Sequence, residues 1–184
     1  LSAAYFYKAS KYPENINLIE TGLFHRFDAT NILKTNLASI VTSIGLDHLD
    51  WLPENEQTTK KIIFEKTSTL LNSNIIIAKQ NSTEIVNEIK NSITKNSSKK
   101  YFFNEDFNYS LNENGFIYYE DKDGGIKLPI PKVKGQFQLE NISTAIATLR
   151  SIDQLKVSEK NIKDGITKIK SIARLQEISS GKLK

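Results

Sequence analysis

The chain contains no cysteine and no methionine. Without cysteine there is no disulfide framework, no thiolate metal site and no cysteine nucleophile. Without methionine, Leu1 is not an ordinary start. The chain also opens inside an apolar periodic segment with no cap, so the expectation is that sequence is missing upstream. Hydrophobic residues make up 39% of the 184 positions, and no run approaches the roughly 18 apolar residues of a membrane-spanning helix. The opening LSAAYFYKAS lacks the basic start, apolar middle and small-residue cleavage site of a signal peptide. A soluble, cytoplasmic protein with no membrane partner is the expectation. The net charge is only +4, from 25 basic and 21 acidic residues. The lysines are scattered and not interleaved with aromatics on one face, so the charge reads as a solvated surface and not a nucleic-acid site.

What is present alternates. Residues 1–10 follow helical spacing, and Tyr12-Pro13-Glu14-Asn15 breaks it. Ile16 to Glu20 reads as a short strand. Residues 38–44 read as a second strand closed by Gly45, and 56–71 as a helix. Asn74 to Ala78 is a continuous apolar run of the kind that parallel sheets bury on both faces. Residues 82–95 form a further helix, opened by Ser82 or Thr83 with Glu84 in its first turn. Strand and helix in alternation predict an α/β fold, a mostly parallel sheet flanked by helices. Residues 100–128 break the alternation with three aromatic strands, Tyr101–Phe103, Phe107–Tyr109 and Phe116–Tyr119, and the turn Asp123-Gly124-Gly125. They predict a small antiparallel flap. Helices follow at 138–154 and 159–169, and Arg174 to Ile178 begins another strand.

Three residues stand out chemically. Glu20 ends the first predicted strand and His48 lies just past the second. In open α/β sheets ligands collect outside the carboxyl ends of strands, so a carboxylate and an imidazole there suit a hard divalent cation. The same His48 also fits a capping or core role, and Asp47 beside it fits a turn cap. Lys66 falls on the stripe marked by Ile62, Ile63 and Leu70 in the 56–71 helix. A lysine there is either chemically special or snorkels its amine to water. The segment Gly22 to Asn31 is irregular and rich in polar groups, in which Asp28 and Asn31 fit turn and cap positions.

Five segments then carry a resemblance. ETGLFHRFDATN at 20–31 resembles the E-x-G-L-G-G-R-x-D-A-T-N motif of folylpolyglutamate synthase and dihydrofolate synthase. TSIGLDHLDWL at 42–52 is similar to T-S-I-G-x-D-H-x-x-x-L, and FEKTSTLL at 64–71 to the x-E-K-A-G-I-x-x segment. GQFQLENISTAIATL at 135–149 resembles G-x-H-Q-x-x-N-A-x-x-A-x-A-x-L, and ARLQEI at 173–178 resembles G-R-x-Q-x-x. The order is the family's own, and the family belongs to the Mur-ligase superfamily.

The resemblance implies a truncated Mur-ligase central domain over 1–172 and the start of a C-terminal glutamate-ligase domain over 173–184. It implies an ATP-dependent ligase that adds L-glutamate to a folate or dihydropteroate carboxylate through an acyl phosphate, with Mg2+ assisting phosphoryl transfer. By position, Glu20 and His48 match the magnesium ligands and Lys66 a carbamylated lysine. Phe27, Asp28 and Ala29 match the pterin contact, and Asn141 and Arg174 match nucleotide contacts. The departures are specific. Phe24 and His25 replace the paired glycines, Ser68 replaces a third, and the loop from His48 to Lys66 is about three residues longer. No phosphate-binding loop is present, because Gly181-Lys182 lacks both the earlier glycine and the following hydroxyl residue. The expectation is a chain inactive alone that needs a separately encoded N-terminal fragment. The alternative is a non-catalytic remnant.

Overall fold

The computed structural model describes residues 1–112 and 115–170. The elements are α1 (Ser2–Ala9), β1 (Ala38–Val41), α2 (Thr59–Thr67), β2 (Asn74–Ile77), α3 (Thr83–Ser92), β3 (Lys100–Phe102), β4 (Phe107–Leu111), β5 (Ile117–Asp121), β6 (Gly124–Leu128), α4 (Gln136–Ser151) and α5 (Glu159–Lys168). Two single-turn 3-10 helices, Leu49–Trp51 and Glu54–Glu56, lie between β1 and α2. No helix among the described residues is long and apolar enough to cross a membrane. The chain divides into two compact units whose segments alternate along the sequence.

One unit holds both sheets. β1, β2 and β3 form a parallel sheet in that order, with Val41 opposite Ile77 and Ile77 opposite Phe102. Ile75, Ile76 and Ile77 are fully buried, as the unbroken apolar run predicts. β4, β5 and β6 form an antiparallel meander. Its second hairpin turns at Lys122-Asp123, where the Asp123 amide donates to Asp121 Oδ1 at 2.9 Å and Gly124 takes a φ of +104°. The inward positions Phe107, Ile117, Tyr119, Ile126 and Leu128 pack with Ile142 and Ile146 of α4 and Ile162 and Ile166 of α5. Arg150 on α4 ties this core to the flap. Its guanidinium donates to Asp121 Oδ1 at 2.9 Å, and the buried Tyr119 hydroxyl donates to Asp121 Oδ2 at 2.8 Å. Burial and that bond hold the Tyr119 phenol far above its ordinary pKa. The start of α4 needs glycine. Gly135 has a φ of +104°, and a Cβ there would sit 2.5 Å from the Phe137 ring.

The other unit carries α1, the long loop after it, α2 and α3. Thr58 caps α2 by accepting from the Lys61 amide, and Ser82 caps α3 by accepting from the Ile85 amide. The helices pack together. The buried Thr67 hydroxyl donates to or accepts from Ser92 Oγ at 2.7 Å across the contact.

Three expectations are corrected. Residues 16–20 are irregular chain and not a strand, exposed except for the half-buried Ile19. An apolar pattern becomes a strand only when a neighbour satisfies its backbone, and these residues have no ladder partner. Tyr101 and Phe102 belong to the parallel sheet and not to the flap. Asp106 accepts from the Phe102 amide at 2.7 Å and Asn104 takes a left-handed φ of +67°, so the chain leaves one sheet and enters the other within this turn. In α2 the buried positions are Ile62, Ile63, Glu65 and Thr67, while Lys66 is half-buried. Ile62 and Ile63 are buried as predicted, and Glu65 joins them because its charged partners permit its burial. The strand predicted at 174–178 and the segment 173–184 lie outside the described residues.

Candidate functional site

The loop from Glu20 to Asn31 is organised around Asp28. Its Oδ2 accepts from the amides of Gly22 at 3.2 Å and Leu23 at 3.1 Å. Its Oδ1 accepts from the Thr30 amide at 2.8 Å and the Thr30 hydroxyl at 2.6 Å. Partial burial pushes the Asp28 carboxyl upward, but these four donors outweigh it and hold the group below the usual carboxylate range. Asp28 is therefore an ionised acceptor committed to shaping the loop.

Glu65 anchors that loop to α2. Its backbone carbonyl, one of those left open at a helix C-terminus, accepts from the amides of His25 at 3.1 Å and Arg26 at 3.0 Å. Its carboxylate receives Arg26 Nε at 2.8 Å and Arg26 Nη2 at 2.7 Å, a bidentate pair. The Lys61 ammonium lies 3.4 Å away. The Arg26 bond above all, then Lys61, holds the Glu65 carboxyl below its ordinary range despite burial. Beyond the pair, Asn31 Nδ2 donates to the Arg26 carbonyl and to Thr69 Oγ1, both at 3.1 Å. The Thr69 hydroxyl also meets His25 Nδ1 at 3.0 Å. Burial lowers the His25 pKa, opposed by the nearby Asp28 charge.

This frame presents Phe27. Its ring is 82% exposed, and the Arg26 guanidinium lies 4.0 Å from its centroid. Guanidinium so placed supports the ring as a platform on which a flat heteroaromatic group can stack. Ala29 beside it is also exposed. Sequence reasoning overlooked Arg26, Glu65, Thr30 and Thr69. Arg26 and Glu65 stood as fixed letters of opposite charge in two of the quoted motifs, and that was the available signal.

His48 and Lys66 meet at one ring. The Phe24 and His48 rings stand edge to face with centroids 6.1 Å apart, and Lys66 Nζ lies 6.0 Å over the Phe24 ring. Nε2 of the half-buried His48 lies 3.2 Å from Asp47 Oδ2. Glu20 is exposed, and no hydrogen bond or ion pair joins it to either residue. Asn141 lies in the other unit on an exposed position of α4. Beside it, Glu140 accepts from Lys79 Nζ at 2.8 Å. Arg174 lies outside the described residues.

No protein-family model matches the chain. The dihydrofolate synthase/folylpolyglutamate synthase of Escherichia coli strain K12 is 31% identical over 180 residues, 97% of this chain and 39% of the enzyme. The chain is homologous to the folylpolyglutamate synthase/dihydrofolate synthase family. The solved E. coli FolC complex with DHPP and ADP superposes with a TM-score of 0.72 at 32% identity, covering 87% of this chain and 36% of that one. A bifunctional folylpolyglutamate synthase/dihydrofolate synthase from Yersinia pestis, complexed with AMPPNP and Mn ion, gives 0.71 at 26% identity over the same shares. The fold is that of these Mur-ligase-like enzymes, a parallel sheet with helices and a small antiparallel sheet. The chain spans about two-fifths of the length of the curated relatives it matches.

The family's chemistry implies a divalent metal, and the described residues do not by themselves complete its site. Among the described residues no three acidic or imidazole side chains converge on a metal position. Against His48 stands the apolar ring of Phe24, at a position where the motif has glycine.

Proposed function

We propose that the chain is the central portion of a folate–glutamate ligase, residues 1–172, followed at 173–184 by the start of the glutamate-ligase domain. The loop at 20–31 receives the flat ring of a folate or dihydropteroate acceptor against Phe27, with Asp28 and Ala29 shaping its edge. Asn141 on α4 and Arg174 contact ATP. The observation that carries this reading is the Glu65-anchored loop, which spends its polar groups on its own shape and leaves one aromatic face open. A loop built to coordinate an ion would leave its carboxylate free instead.

The reaction has two displacements. An acceptor carboxylate oxygen attacks the γ-phosphorus of ATP, and ADP leaves. The amine of L-glutamate then attacks the acyl carbon, loses a proton, and expels inorganic phosphate with the oxygen that had attacked. Mg2+ is the metal this chemistry ordinarily uses, and Glu20 and His48 are its proposed holders. The Phe24 ring stands against His48 at that position. Lys66 is the proposed site of carbamylation.

The 184 residues contain no phosphate-binding loop, and its backbone donors carry much of the stabilisation in such transfers. The chain alone therefore does not turn over. A separate N-terminal fragment bearing that loop restores activity in the cytoplasm. Co-expression with such a fragment, assayed for ATP- and glutamate-dependent elongation of dihydropteroate and of a reduced folate, tests this. Product from the pair and none from the chain alone is expected. No product from either supports the remnant reading.

A further inference from the structure

Phe24 occupies a backbone position that favours glycine. It is a bulky residue at a φ of +50°, in the left-handed region that favours glycine, and the motif it interrupts has glycine there. His48, against which it packs, is also left-handed at +56°. Two strained residues are thus held face to edge, 6.1 Å apart, and Lys66 Nζ rests 6.0 Å over the same ring. The His48 Nε2 atom is already beside Asp47 Oδ2 at 3.2 Å. A phenyl ring offers a metal ion no donor, and its electron-rich face favours an ammonium. Small divalent ions also keep several waters and need room for them.

We propose that Phe24 closes the cation position beside His48. With the ring in place His48 and Lys66 lie against an apolar surface, and a divalent ion binds at the imidazole more weakly than when the ring is removed. The ligase reading enters here only in saying where a cation is expected.

The test is a Mn2+ titration followed by paramagnetic broadening of the His48 imidazole protons. It compares the unaltered chain, Phe24→Gly, Phe24→Ala and the double variant Phe24→Gly/His48→Ala. Glycine relieves the left-handed backbone, and alanine removes the ring while keeping a Cβ, so either folded variant suffices. Thermal unfolding shows which are folded. The expected result is broadening of His48 in the single variants at about tenfold lower Mn2+ than in the unaltered chain, the size of effect that groups around a metal ligand exert. Overall Mn2+ affinity, read from the free-ion signal, rises in Phe24→Gly and falls back in the double variant. Equal broadening of His48 in the unaltered chain overturns the proposal, as does a gain in affinity that survives loss of His48. Either result leaves the ligase reading intact, since that stands or falls on product formation.

Discussion

Replacing Glu65 by alanine removes the anchor of the candidate loop, and the structure sets the size of the effect. Two charge-assisted hydrogen bonds join Glu65 to Arg26, at 2.8 and 2.7 Å. Fully buried, such bonds contribute about 1.5–3 kcal/mol each. Glu65 is 5% exposed but Arg26 is 30% exposed, so water replaces part of what Arg26 loses, and wholly exposed pairs contribute about 0–1 kcal/mol. The expected loss is about 2 kcal/mol, a fall in melting temperature of about 4–8 °C for a chain of this size. Glu65→Gln keeps the shape and should lose less than Glu65→Ala. The pH dependence is specific. Arg26 and Lys61 hold the Glu65 carboxyl below its ordinary range. Its stabilising contribution is therefore complete above the pH at which an unfolded glutamate titrates, and it is lost as pH falls through the lower native value. The unaltered chain and Glu65→Gln should differ at neutral pH and converge in acid. Thermal unfolding followed by circular dichroism across pH measures both. A gap that stays constant into acid, or a Glu65→Ala variant as stable as the unaltered chain, would refute the anchoring argument.

Two further outcomes follow from the geometry. Asp28→Asn replaces an acceptor of four hydrogen bonds with a group that can accept through one oxygen only, so it should loosen the loop and, on the proposed function, weaken acceptor binding about tenfold or more, read by titration of dihydropteroate fluorescence. Gly135→Ala places a Cβ at 2.5 Å from Phe137 and at a φ of +104°, so it should destabilise the chain by about 1–3 kcal/mol, read by urea unfolding.

The alternating elements were legible where local chemistry decided them. The start of α3 could be placed at Ser82 or Thr83 because a hydroxyl there can cap a helix, and Asn74–Ile77 because Ile75, Ile76, Ile77 and the following Ala78 make an unbroken apolar run that suits a strand covered on both faces. Elements that depend on a distant partner were not legible. Tyr101–Phe103 looks like hairpin material beside Phe107–Tyr109, and only pairing with β2 assigns it to the other sheet. Ile16–Glu20 has strand composition but no neighbour. In the candidate site, the Asp28 turn could be anticipated from residues within a few positions. The Arg26–Glu65 pair, 39 residues apart, could not be found by spacing. That pair is also why the buried position in α2 is Glu65 and not Lys66. The ring between His48 and Lys66 follows from Phe24 replacing a glycine, a change visible in the letters but without consequence until the three side chains were placed.

The central claim, that this chain takes part in acyl-phosphate chemistry on a folate-type acceptor, is tested most directly by isotope transfer. The acceptor carboxylate is labelled with heavy oxygen and incubated with ATP, L-glutamate and the chain together with an added N-terminal segment that carries a phosphate-binding loop. One labelled oxygen per inorganic phosphate released is the predicted result. Product accompanied by unlabelled phosphate would contradict the account.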